Sequence, residues 1–354
     1  MFTKHTYRSF LPGLTAVFVV IASFYSNKAT AQDPQFSQYY AAPLYLNPGL
    51  VGINQKGRAG VNYRNQWPSI DANYVTYSAY VDYYFEEQYS ALGLIVNRDQ
   101  EGIAGLSSTN IGLQYAYQLN LNYNWVFRPG VEASYYWRDI NFSALTFGDQ
   151  FDQTGQVRPT TGEVFNTGLN NQFFDLAFGG ILYSGNLWFG AAMHHVLEPN
   201  QALAGGDDPL ARKFSLHGGY KIPFYKISNR SRPNPDQKER SMTPTVNYKQ
   251  QGQFKQLDLG MYFTLEPILV GLWYRGLPID GFSNTKNSEA IITMLGFNAG
   301  NTTFGYSFDY TISDLGIGSG GAHEISITYV FSMADPRKPS RDVRELRCPV
   351  PFIF

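Results

Sequence analysis

The chain has 354 residues, of which 44% are hydrophobic and 16% aromatic, but only 16% are charged, against roughly 25% in ordinary soluble domains. A net charge of −1 excludes a general nucleic-acid binder, which needs a basic surface, and the single cysteine, Cys348, excludes internal disulfides and cysteine-built metal sites. No apolar run beyond the N-terminal leader approaches the roughly 18 residues of a membrane helix, so aromatic richness with few charges points to an all-β transmembrane barrel.

The leader comes first. Lys4 and Arg8 form a positive region, Phe10 to Tyr25 is mostly apolar, and Ala29-Thr30-Ala31 supplies a small-x-small cleavage pattern before Gln32. Residues 1–31 read as a signal peptide. Its removal takes away Lys4, Arg8 and Lys28 and no acid, leaving 24 basic against 28 acidic residues. Residues 32–56 form an N-terminal segment, AQDPQFSQYYAAPLYLNPGLVG at its heart, in which Asp33 is the one charge before Lys56. Pro34, Pro43 and Pro48 make it too broken for a helix and too donor-poor for a central strand.

From residue 57 to 332 the chain alternates with period two. Over Asn73 to Phe85 one face reads Val75, Tyr77, Ala79, Val81, Tyr83, Phe85 and the other Tyr74, Thr76, Ser78, Tyr80, Asp82, Tyr84. Trp125 to Trp137 sets Trp125, Phe127, Val131, Ala133, Tyr135 and Trp137 opposite Arg128, Gly130, Glu132, Ser134, Tyr136 and Arg138. Aromatics gather at strand ends, as in the interfacial girdles of a membrane barrel. Segments near 57–67, 73–85, 89–98, 107–120, 124–139, 172–183 and 187–196 qualify as strands. Seven more follow near 212–222, 243–250, 254–265, 268–276, 289–299, 302–312 and 321–332, which makes about fourteen, each close to the 9–11 residues of a tilted spanning strand.

Short turns at 86–88, 121–123, 184–186, 266–267 and 300–301 alternate with longer links at 99–106, 140–171, 197–211, 277–288 and 313–320. The short set is expected to face the periplasm and the long set the outside. The basic stretch from Pro223 to Ser241 breaks this rule: either the strand count shifts there or it projects into the periplasm. The tail, residues 333–354, is basic up to Arg347 and then apolar, and reads as periplasmic.

No catalytic constellation stands out, and the chain reads as a non-enzyme without cofactor or metal. His194-His195 lie at a strand end, where neighbours point to opposite faces; His217 and His323 have no carboxylate at a telling spacing. The glycines at 316, 318, 320 and 321 sit in a loop, not between strand and helix. FGDQFDQTG, Phe147 to Gly155, offers oxygens from Asp149, Gln150, Asp152 and Gln153, but lacks the spacing of an EF-hand and reads as a polar loop.

The N-terminal segment then carries more. Asp33, Pro34, Gln35, Phe36, Ser37, Gln38, Tyr39 and, further on, Pro43, Leu44, Tyr45, Leu46, Asn47, Pro48 and Gly52 resemble the DPQFSQY…NPLYLNPAxAG signature of the PorP/SprF family of type IX secretion membrane proteins, known from Bacteroidetes. Ala42 replaces the usual Asn, and Gly49-Leu50-Val51 departs from the usual step. RNQWPSI at Arg64 to Ile70, FGDQFD and the ending with Cys348-Pro349 and Phe354 also look like the family.

The resemblance implies an integral outer-membrane barrel, similar to the long-chain fatty acid transporter group, serving type IX secretion and gliding motility. It implies one of two roles: assisting secretion or surface attachment of a large gliding-type adhesin through that adhesin's C-terminal domain, or a core component linking the outer membrane to periplasmic ring proteins. A channel for small apolar molecules is a further alternative. Irregular, proline-broken backbone cannot face lipid, so residues 32–56 are expected to plug the lumen, with Asp33, Pro34, Gln35, Phe36, Ser37, Gln38, Tyr39, Asn47 and Pro48 as plug residues. Partner contacts are expected at the outer loops 140–171 and 197–211, and at Arg230, Arg232, Lys238, Arg240, Arg344, Arg347, Cys348 and Phe354.

Overall fold

A computed structural model describes residues 33–141, 144–151, 161–162, 170–203, 206–224, 238–276, 288–313, 316–332 and 348–351. Within them, fourteen strands follow one another around a closed antiparallel sheet. They are β1 Gly57–Gln66, β2 Tyr74–Phe85, β3 Ser90–Glu101, β4 Leu106–Tyr117, β5 Trp125–Asp139, β6 Asn170–Tyr183 and β7 Leu187–His194. The ring continues with β8 Lys213–Tyr220, β9 Arg240–Gln251, β10 Phe254–Leu265, β11 Ile268–Gly276, β12 Ser288–Ala299, β13 Thr302–Thr311 and β14 Ala322–Phe331. Leu119–Asn122 prolongs β4 along β5, and Ile222–Pro223 prolongs β8 along β9. β14 pairs with β1 over Gly57↔Phe331 to Gln66↔Ala322, which abolishes the sheet edge.

The strands form where the period-two pattern puts them, and some run further. β3 continues through Asp99, Gln100 and Glu101, and β9 starts at Arg240, three residues before the expected boundary. These polar ends pair with neighbouring strands just as the apolar middles do, because a ladder is made by backbone groups whatever the side chain. Connections alternate as expected between short turns at one end and longer links at the other, with two exceptions. β8, prolonged to Pro223, joins β9 through residues 224–239 at the short-turn end, without any shift in the strand count, and β9 and β10 join at the long-link end through Gly252 and Gln253 alone. Of the basic stretch after Pro223, residues 225–237 lie outside the described residues.

Burial is inverted relative to a soluble protein. Outward side chains are apolar and exposed: Val61, Val81, Leu94, Val96, Leu113, Leu272 and Leu295 at mid-height. Aromatic pairs Tyr63–Tyr77, Trp67–Tyr74 and Tyr135–Trp137 ring the long-link end, and Tyr83–Phe85 and Tyr329–Phe331 the short-turn end. Inward side chains are largely polar and buried, among them Arg58, Asn62, Arg64, Asp82, Arg128, Asp258, Arg275, Asp309 and Glu324. An apolar belt bounded by two aromatic girdles around a polar interior is the pattern of an outer-membrane barrel.

Replacing Leu113, which is 58% exposed on the outward face of β4, by arginine is expected to destabilise the bilayer-embedded barrel by about 2–4 kcal/mol, the cost of a charge near the membrane midplane. Urea-unfolding equilibria in phospholipid vesicles read this directly. The same substitution at Ile103, in the link between β3 and β4, should change stability by less than about 1 kcal/mol.

Candidate functional site

The inward polar face converges on the N-terminal segment. From Phe36 to Ile53 every residue but Tyr45 is buried. Its prolines shape it: Pro43 opens a single helical turn, α1 Pro43–Leu46, and Pro48 opens a 3-10 turn at Pro48–Leu50. Proline suits the first position of a turn because its missing N–H would have no partner there. Asn47 links the two turns. Its N–H donates to Pro43 O at 3.1 Å, and its Oδ1 accepts from Gly49 N at 2.8 Å.

Three groups of wall residues hold the segment. The first lies towards the long-link end and is ionic. Arg64 (β1) and Arg275 (β11) both bind Asp309 (β13), at 2.8 and 3.0 Å. Arg275 also binds Asp258 (β10) at 3.2 Å, and Arg64 binds Glu324 (β14) at 3.4 Å.

Ser37 sits at the centre of this cluster. Its hydroxyl donates to Asp309 at 2.6 Å and accepts from Arg64 at 2.9 Å and Arg275 at 3.0 Å. The amides of Ser37 and Gln38 donate to the two oxygens of Glu324 at 2.6 and 3.0 Å. Gln38 also bonds the Glu324 carbonyl at 3.0 Å and Ser326 at 2.5 Å. Tyr39 donates its hydroxyl to Asp258, accepts from Arg275 at 3.1 Å, and lies with its ring under the Lys249 ammonium, 4.8 Å from the centroid. Burial, opposed by Arg275, holds the Tyr39 hydroxyl well above its ordinary pKa, so it remains a donor.

The second group grips Leu44 to Gly52. Arg58 (β1) and Asp82 (β2) form a two-pronged pair at 3.1 and 2.7 Å; Asp82 accepts from Gly52 N at 2.6 Å and Arg58 donates to Leu50 O at 3.3 Å. Arg128 (β5) donates to Val51 O and Gln114 (β4) to Leu44 O. The third group is backbone. Asn47 Nδ2 donates to Gly180 O and Ala191 O, both at 3.0 Å, beside His217. Wall glycines allow this close approach: a Cβ on Gly179 would overlap the Asn47 amide, and one on Gly130 would overlap Pro48.

The expected segment residues thus fall in one place. Phe36, Ser37, Gln38, Tyr39, Asn47 and Pro48 are buried, while Asp33, Pro34 and Gln35 are half-buried. Pro34 is tied by its carbonyl to the Tyr45 hydroxyl at 2.6 Å. Sequence reading missed the wall side of the site, namely Arg58, Arg64, Gln114, Asp258, Arg275, Asp309 and Glu324. A signal was available, since an ionisable residue on the polar face of a spanning strand is costly and marks a function.

Of the expected partner residues, three fall among the described residues: Lys238, Arg240 and Cys348. Lys238 and Arg240 are exposed at the short-turn end. Arg230, Arg232, Arg344, Arg347 and Phe354 lie outside the described residues, as do Asp152 and Gln153 of FGDQFDQTG. Cys348, expected as a partner contact, is buried in the apolar cluster that holds Tyr40 and Trp188. A short apolar stretch next to an open-ended lumen gains more by leaving water than by extending into it.

His194 and His195 do not point to opposite faces. His195 takes a left-handed backbone, φ 57°, just past β7; both rings are buried with centroids 6.4 Å apart, and His195 Nδ1 meets Asp175 at 2.6 Å. Asp149 accepts from Thr161 and Gly162, and the Gly162 amide holds its carboxyl below the usual range.

A family model described as "Type IX secretion system membrane protein PorP/SprF" matches residues 28–329. No curated protein matches the chain. Among solved structures, the toluene transporter TbuX of Ralstonia pickettii aligns with a TM-score of 0.46 at 9% identity, covering 82% of this chain and 92% of its own. The outer membrane protein Omp33 of Acinetobacter baumannii aligns at 0.40 and 9% identity, covering 78% and 98%. Neither likeness bears on what this chain does.

Arg275→Ala is expected to cost about 3–5 kcal/mol of unfolding free energy, because it leaves the buried Asp258 carboxylate without its guanidinium and Asp309 with Arg64 alone. Gly179→Val, by contrast, should leave the barrel standing but push Asn47 off the wall. Limited proteolysis reads that difference as new cleavage between residues 36 and 53 at unchanged barrel migration on gels.

Proposed function

This chain belongs to the PorP/SprF family of type IX secretion system membrane proteins, and on that premise we propose that it is a non-enzymatic docking component whose lumen is closed by its own N-terminal segment. The outer membrane and the secretion machinery are its setting. Its finer role is to assist secretion or surface attachment of a large gliding-type adhesin by binding that adhesin's C-terminal domain.

The observation that carries this reading is the fastening of residues 36–53 to inward side chains all around the ring, from Arg58, Asp82 and Arg128 to Asp258, Arg275, Asp309 and Glu324. A barrel of this size otherwise leaves water inside. A segment tied down by buried ionic groups is built to stay, so partners meet the ends of the barrel rather than pass through its middle. The outer links 140–171 and 197–211 form one docking end. The basic residues Arg230, Arg232, Lys238, Arg240, Arg344 and Arg347, with Phe354, form the other, which faces periplasmic ring proteins.

Two measurements test the reading. In planar bilayers the intact barrel is expected to be silent, and a steady ionic conductance would bring the small-molecule channel forward. In a pull-down from detergent-solubilised outer membranes, one very large surface adhesin is the expected companion. Periplasmic ring components without such an adhesin would make the protein a core part of the machine instead.

A further inference from the structure

The chain returns to its own lumen at its far end. After β14 the chain leaves the wall at the short-turn end at Phe331, yet Cys348, Pro349, Val350 and Pro351 are all buried. Cys348 and Val350, 6% and 3% exposed, share one apolar cluster with Tyr40, Leu50, Ile181, Tyr183 and Trp188. Tyr40 and Leu50 belong to the N-terminal segment; Ile181, Tyr183 and Trp188 are inward residues near the short turn joining β6 to β7. The Cys348 sulfur is an electrostatic neighbour of both Tyr40 and Arg128. The N-terminal segment and residues 348–351 therefore meet inside the barrel.

The chemistry of the stretch fits such a place. Cys-Pro-Val-Pro carries no charge, and its two prolines have no N–H, so only the amides of Cys348 and Val350 need partners away from water. The Val350 amide finds one in the Cys348 sulfur. Few peptides of this length can enter an apolar pocket with so little polar backbone to satisfy.

We propose that the short-turn half of the lumen is a peptide-binding pocket whose ligand is the chain's own C-terminal Cys-Pro-Val-Pro segment. It closes the barrel from below as the N-terminal segment fills it from above. The proposal goes beyond the docking role and does not depend on it, since a docking barrel could equally leave its tail in the periplasm.

Cys348 is the only cysteine of the sequence and reports on the pocket without engineering. Burial also pushes its thiol up to about 12, so thiolate chemistry in the folded state should still be rising with pH above pH 9. The test is the rate of N-ethylmaleimide labelling of the full-length barrel in detergent against the same chain in urea. The folded barrel is expected to label about 100-fold more slowly.

Val350→Asp, which puts a carboxylate into the apolar cluster, should restore most of the rate. A synthetic peptide of the last seven residues, with serine for cysteine, should do the same by competition without any change to the protein. Heat-modifiable migration on gels confirms that each barrel is folded. Labelling of the folded wild type as fast as in urea overturns the proposal. So does protection that neither the substitution nor the peptide relieves, since the thiol would then be buried somewhere other than an exchangeable pocket.

Discussion

Hydrocarbon offers a polypeptide no hydrogen-bond partners, and the rest of this structure follows from that. A sheet can cross the bilayer only if every backbone group is paired within it, which the β14–β1 ladder accomplishes by removing the last edge. Closure then dictates the side chains. The outward face must be apolar to meet lipid, so the polar half of each alternating strand is turned inward, into a space too wide for those side chains alone to fill.

That inward face would be costly if left unmatched. Arg64, Arg275, Asp258, Asp309 and Glu324 are buried together, and ion pairs taken out of water hold only when their remaining hydrogen-bonding capacity is met. The N-terminal segment meets it with its most economical groups: one serine hydroxyl shared by two guanidiniums and a carboxylate, and two consecutive amides on one glutamate. Its apolar residues pack against inward aromatics and aliphatics of the same wall. Leu44 and Val51 pack with Tyr80, Tyr84 and Ile95, and Tyr39, Tyr40, Leu46, Leu50 and Ile53 with Trp188, Tyr262 and Trp273. Polar and apolar contacts thus stabilise the same strip of chain, often from one and the same strand: Asp258 and Tyr262 share β10, Arg275 and Trp273 share β11, and Asp82 lies between Tyr80 and Tyr84 on β2. Proline serves both ends of the sequence for one reason: each removes a donor that an enclosed segment would otherwise have to satisfy.

The alternation of Tyr74 to Phe85 or Trp125 to Trp137 was enough to place strands, because side chains on a strand can only point in or out. Strand ends were less legible: Asp99, Gln100 and Glu101 look like loop residues, but ladder bonds to β2 and β4 carry them into the sheet. The histidines show the same limit. Position at a strand end implied opposite faces for His194 and His195, whereas the left-handed backbone of His195 turns it to the inward side that His194 already takes by strand alternation. The receiving half of the site was harder still. Arg64, Asp258, Asp309 and Glu324 are scattered over 261 positions of the sequence, and nothing local says that they converge.

The sequence by itself determined the barrel, its inside and outside, and the fact that residues 32–56 could not face lipid, because all of these follow from period, composition and proline placement. Only the tertiary structure decided which wall residues grip that segment, that Gly130 and Gly179 clear the space for Asn47 and Pro48, and that Cys348 lies inside rather than out. Those are matters of register and closure. A shift of two residues between neighbouring strands would keep every face and every pattern, yet bring different charges together across the lumen.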